Sequence, residues 1–237
     1  MLEQVKILSS RRAYEFRQDD LRLTMLSTRL VQQQFQDLFS FQTSAMGSPA
    51  PTFGAVPATY PPGFVFDMGV WISPDQQPVP IRFLHFEQRR IVIDVAGSSA
   101  SIAAIFAQVK TFFSDLHAPD GSPVIGEPER ILDFSEITAQ YPFSLDALIA
   151  EPVRTLLKGV LPESNAAHHT MLSTLSVQVY PVDKELAGVP SLADFRSLSF
   201  APRAGTRPQD HIYFSSASLD SETHLHYLHE LEATISS

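Results

Sequence analysis

Cysteine is absent from this chain of 237 residues. Its absence removes disulfides, thiolate nucleophiles, thiolate metal sites and iron–sulfur clusters. Glycine is scarce, with 10 residues against 18 prolines, so loops are stiffened by proline rather than loosened by glycine. Positive charge is short as well: 17 Lys and Arg face 26 Asp and Glu, for a formal net charge of −9. A nucleic-acid binder needs a basic surface to displace counterions, so no nucleic-acid partner is expected. The one local excess lies near the N-terminus. There Lys6, Arg11, Arg12, Arg17, Arg22 and Arg29 outnumber Glu3, Glu15, Asp19 and Asp20, and they read as ordinary solvated faces. No run approaches the roughly 18–20 apolar residues of a membrane span. The opening MLEQVKILSSRR also lacks the long apolar core of a secretory signal. The expectation is a soluble cytoplasmic protein without a membrane partner.

Apolar residues make up 44% of the chain and charged residues 18%, enough to bury a real core. The stretch AYEFRQDDLRL is compatible with a strand. LSTRLVQQQFQDLFSF is read as an amphipathic helix on Leu26, Leu30, Leu38 and Phe39, against a competing alternation at Phe35, Asp37, Phe39 and Phe41. Thr43 to Gly63 carries no charge and is rich in Pro, Ala, Ser and Gly, which marks a long loop or linker. FVFDMGVWI, VPIRFLHF and RRIVIDVAG then read as an antiparallel meander. SSASIAAIFAQVKTFFSDL is the clearest helix, with Ile102, Ile105, Phe106, Val109, Phe112, Phe113 and Leu116 on one face and Ser99 or Ser101 as cap.

After the turn-rich HAPDGSPVIGEPE, RILDFSEITAQY, TMLSTLSVQVYP and HIYFSSAS read as strands. SLDALIAEPVRTLLKGVL reads as a helical stretch interrupted at Pro152. SLADFRSL reads as a short helix, and DSETHLHYLHELEATI as a closing helix on Leu225, Leu228, Leu231 and Ile235. The fold class is α+β: mostly antiparallel sheet with covering helices, organised as residues 1–118 with the loop 43–63, and 119–237. The layout allows two pseudo-repeated halves sharing one sheet. TMLST occurs at Thr24–Thr28 and Thr170–Thr174, 146 positions apart, whereas the strand-to-helix units RIVIDVAGSS and HIYFSSASLDS align 121 apart. The two offsets disagree, so TMLST is read as coincidence.

Chemistry has three candidate locations. His226, His229 and Glu230 lie within one helical turn, a spacing that can meet one metal ion, although they point away from the apolar face. Ser98, Ser99 and Ser101 follow Gly97 at a helix start, where free N–H groups and the helix dipole favour an anion. Neither a GxSxG nucleophile elbow, a GxxxxGK[ST] phosphate loop nor a GxGxxG turn is present. Phe53 and Tyr60 in the uncharged loop, with Trp71 in the meander, are apolar anchors for a partner. No cofactor is implied. The leading expectation is a non-catalytic interaction or assembly module holding a protein partner or its own copy. Its alternatives are a metal-assisted or serine-based hydrolase and a small-ligand sensor.

Overall fold

A computed structural model describes residues 2–18, 20–22, 28–46, 63–114, 116, 121, 123–149, 174–179 and 196–236. These contain nine strands and three α-helices. The strands are β1 (Glu3–Glu15), β2 (Thr43–Met46), β3 (Phe64–Ile72), β4 (Pro78–Glu87), β5 (Arg90–Val95), β6 (Arg130–Gln140), β7 (Leu175–Val179), β8 (Arg196–Pro202) and β9 (Ile212–Ala217). The helices are α1 (Arg29–Leu38), α2 (Ala100–Ser114) and α3 (Ser221–Ser236). The class is mixed α+β, mostly antiparallel sheet. Among the described residues no helix is long and apolar enough to cross a membrane.

The chain divides into two compact units. The first comprises Ile7–Ser135 and Leu219–Glu222; the second comprises Met1–Lys6, Glu136–Ser218 and Thr223–Ser237. β1 and β6 run through both. In the first unit the strands bond in the order β2-β3-β4-β5-β1-β6, and in the second β1-β6-β9-β8-β7.

The first unit contains the expected meander. Phe64 faces Phe86 at one end of the β3–β4 pair and Ile72 faces Pro78 at the other, while Glu87 and Arg90 close the β4–β5 hairpin. One sheet face carries Phe66, Leu84, Phe86, Ile91, Ile93 and Val95, all buried. α2 covers it with Ile102, Ile105, Val109 and Phe113, as its periodicity predicts. Phe35 of α1 lies at the centre of this core, with ring centroids 4.9 Å from Phe66, 5.5 Å from Phe86 and 5.7 Å from Phe113.

The helical reading of α1 holds, but its apolar face is different. Leu30 is 64% exposed and Leu38 39%, whereas Val31, Phe35 and Phe39 are buried. These three recur every four residues and so share one stripe, from which Leu30 and Leu38 are each rotated by about 100°. In β3 the in–out alternation breaks between Phe66 and Trp71, both of which face the core. Met68 has φ of +54°, and a Cβ on Gly69 would lie 2.5 Å from the Phe41 ring. The close approach of Phe41 requires glycine there, and the local kink turns Trp71 inward and Val70 and Ile72 outward.

In the second unit β9 pairs with β8 from Leu198–Ala217 to Pro202–Tyr213, and β8 pairs with β7 from Leu175–Phe200 to Val179–Arg196. The short helix expected over SLADFRSL is corrected at its described end: Arg196–Pro202 is a strand. The period-2 pattern Ser197, Leu198, Ser199, Phe200 outweighs the weak helical preference of the segment, because pairing on both sides satisfies the backbone. Of the helical stretch expected over residues 144–161, the described part is a 3₁₀ turn at Leu145–Leu148; Pro152 lies outside the described residues.

Candidate functional site

Phe53 and Tyr60 lie outside the described residues, as do TMLST residues 24–27 and 170–173. Trp71 is 9% exposed, and its indole N–H donates to Gln108 Oε1 at 2.8 Å, so the ring is tied to α2. His226, His229 and Glu230 are exposed on α3. Among the described residues no three His, Asp or Glu side chains gather into a metal-holding group.

The serine turn is built differently from an open anion cradle. Ser98 Oγ and Ser99 Oγ donate to the two oxygens of Glu222, the Ser99 bond being 2.6 Å. The Ser99 N–H donates to Ser221 Oγ at 2.9 Å, and the Ser221 N–H returns to Ser99 Oγ at 3.1 Å. Ser98 Oγ also accepts from the Ala100 N–H at 3.1 Å. The α2 and α3 starts therefore cap one another through paired serines. Burial pushes the Glu222 carboxyl up, but the bonds from Ser98, Ser99 and Ser221 outweigh it and hold the carboxyl below its usual range. The carboxylate already occupies the position an external anion would take. Ser101, in the first turn of α2, is half-buried.

A nucleophile–base distance does occur elsewhere. In the second unit Ser215 Oγ lies 2.8 Å from His224 Nε2, and both residues are buried. Ser215 Oγ also donates to the Ser199 carbonyl at 3.0 Å. A hydroxyl has one proton. With that proton on Ser199 O, the imidazole donates from Nε2 to Oγ, the reverse of the transfer that would activate a serine. Burial lowers the His224 pKa to about 4, so the ring is neutral near neutral pH.

The opposite face of the first unit's sheet, onto which Asp94 alternates away from Ile91, Ile93 and Val95, holds a group of buried charges. Asp94, 1% exposed, receives Arg11 at 2.7 Å. Glu87 receives Arg90 at 2.7 Å, and His85 Nδ1 lies 3.1 Å from it. Burial raises the Glu87 carboxyl, while His85 and Arg90 together more than reverse the effect and leave it low. Arg11, His85, Glu87 and Arg90 line a cavity of about 140 Å³ together with Ala13, Phe83 and Val92. A wider cleft of about 660 Å³ opens beside Glu15, Arg89, Arg90, Glu129 and Arg130. The signal in sequence was alternation: in RFLHFE the apolar Leu84 and Phe86 face one way and His85 and Glu87 the other.

A second feature is the end of the second unit's strand order. Among the described residues β7 has β8 as its one neighbour, and it reads LSVQV, without charge, proline or glycine. Ser218 N–H bonds Ser197 O and Arg203 N–H bonds Ile212 O, so the odd-numbered positions of β8 direct their backbone polar groups toward β9. Leu198 and Phe200 therefore turn theirs toward β7, where they meet Val177 and Leu175. By the same alternation the backbone groups of Ser176 and Gln178 point away from β8. Val177 is 45% exposed. Natural edges are ordinarily blunted by Lys, Pro or bulges, and β7 has none of these.

Fold and site together define an α+β sheet protein with two buried polar clusters and, among the described residues, a terminal strand without charge, proline or bulge. Neither the scan against protein-family models nor the search of curated proteins returns a match.

Proposed function

We propose that this chain is a non-catalytic interaction and assembly module that holds an extended protein segment by strand addition at β7. The observation that carries the reading is the β7 edge: a five-residue strand whose Ser176 and Gln178 backbone groups face away from β8, with no charge, proline or bulge against pairing. The wider reading places the module in the cytoplasm and adds the apolar anchors Phe53 and Tyr60 as a second contact. It also treats the two halves as pseudo-repeats. In one, β1 is followed in space by β5, β4 and β3; in the other, β6 is followed by β9, β8 and β7, and a helix follows β5 and β9 in sequence.

The test is selection of displayed peptides on the wild-type chain and on Ser176→Pro. The Ser176 N–H points away from β8, so proline removes an outward donor and no β7–β8 bond. Strand addition predicts enrichment of uncharged peptides with alternating apolar residues on the wild type alone. Equal enrichment on both proteins, or none on either from a monomeric wild type, refutes the reading.

Two rivals rest on particular groups. A serine-based hydrolase would draw on Ser98 and Ser99 beside Glu222, and unchanged ester turnover in Ser98→Ala and Ser99→Ala would remove it. Its metal-assisted form would use His226, His229 and Glu230, and substoichiometric metal in purified protein would remove that. A small-ligand sensor would use the cleft of about 660 Å³, and a thermal-shift screen without a single stabilising compound would count against it.

A further inference from the structure

We infer that the segment added at β7 is β7 of a second copy of this chain, paired antiparallel about Val177. The inference rests on the strand-addition reading and names its partner.

The first argument is pattern. The sequence Leu175, Ser176, Val177, Gln178, Val179 alternates apolar and polar, and its polarity reads the same in both directions. An antiparallel copy centred on Val177 therefore sets apolar opposite apolar and polar opposite polar at every position. No like charges meet, because β7 has no charge. A one-residue slip would set apolar against polar throughout and is excluded, and centring on Val177 matches all five residues of the strand.

The second argument is backbone geometry. β7 turns the N–H and C=O of Leu175, Val177 and Val179 toward β8, leaving those of Ser176 and Gln178 facing outward. In an antiparallel pair centred on Val177, Ser176 lies opposite Gln178 of the second copy, and Gln178 opposite its Ser176. Both are hydrogen-bonded positions, so the outward groups of one edge meet those of the other. Val177 then opposes itself at the closer, non-hydrogen-bonded spacing, where side chains touch. Val177 is 45% exposed and available for that contact. The arrangement is isologous: one strand serves as both donor and receptor, so association closes at two copies.

The experiment is light scattering coupled to size-exclusion chromatography on the full chain and on Val177→Lys, Val177→Glu and Ser176→Pro. Wild type is expected as a dimer and each single variant as a monomer. Lys opposite Lys, or Glu opposite Glu, repels. An equimolar mixture of Val177→Lys and Val177→Glu is expected to recover the dimer, because only the mixed pair places opposite charges face to face. Circular dichroism of each variant checks that the fold is retained. A monomeric wild type overturns this inference, as does a dimer indifferent to all three substitutions or a mixture that fails to recover. Selective peptide enrichment with a monomeric wild type would leave strand addition standing and remove self-pairing alone; a monomer without enrichment removes both.

Discussion

At the scale of single residues, His224 shows how burial sets chemistry. It is fully buried beside Ser215, and its pKa is lowered to about 4. In the unfolded chain an imidazole titrates near ~6.5. Between those values the unfolded chain takes up a proton that the folded chain refuses. Its contribution to stability is therefore complete above about pH 6.5 and is lost progressively as pH falls toward the folded value. The urea midpoint should drop between neutral pH and the mildly acidic range. The drop should be smaller in His224→Gln, which keeps a donor for Ser215 and does not titrate. Equal pH slopes in the two proteins would refute the assignment. In sequence His224 stands at the edge of an apolar stripe, close to where it is found. Its bond to Ser215 was not legible, because nothing local connects β9 to the second turn of α3 in register.

At the scale of elements, the α2 and α3 starts depend on each other. Each helix start leaves backbone N–H groups unpaired. Here Ser99 and Ser221 exchange side chains to bond them, and Glu222 accepts from both Ser98 and Ser99. Ser99→Ala removes an acceptor for a buried N–H and a donor to a carboxylate, so it should cost about 1–2 kcal/mol. Ser101 makes no side-chain hydrogen bond among the described residues, and Ser101→Ala should change stability by less than about 0.5 kcal/mol. Urea unfolding of the two variants compares them directly, and equal effects would refute the clasp. Serine as cap was readable from sequence, but the identity of the partner was not, since Ser99 and Ser221 are 122 residues apart.

The same distinction runs through the other elements. The meander and α2 were legible because strong periodicity met no competing signal. In α1 the helix was readable while its buried face was not: two leucines and a stripe of Val31, Phe35 and Phe39 offered rival faces, and packing against Phe66 and Phe86 selected the stripe. The Arg196–Pro202 strand was missed because its pairing partner, β9, begins ten residues after it ends, beyond the window in which local preference operates.

At the scale of the whole molecule, charge and edge oppose each other. Each copy carries a formal charge of −9, so two copies repel, whereas the β7 edge proposed to join them is uncharged. Salt screens the repulsion over a Debye length of about 10 Å at 0.1 M and has no ion pair to weaken at the edge itself. Dimerisation should therefore tighten modestly as salt rises. Sedimentation equilibrium at low and high salt measures it, and an association that weakens with salt would point to a charged interface instead.

Composition alone determined that the chain has no cysteine thiol, that its net charge is acidic and that a packed core can form. Periodicity determined a mixed α+β chain rich in antiparallel strands. Only the tertiary structure decided which strand ends the sheet order, which serines meet Glu222, and that Asp94 and Glu87 are buried against arginines from β1 and β5. The physical reason is range. Side-chain period and capping preference act within a few residues, while strand order, the serine clasp and the Arg11–Asp94 pair join residues scores of positions apart, and those contacts exist only once the chain has closed on itself.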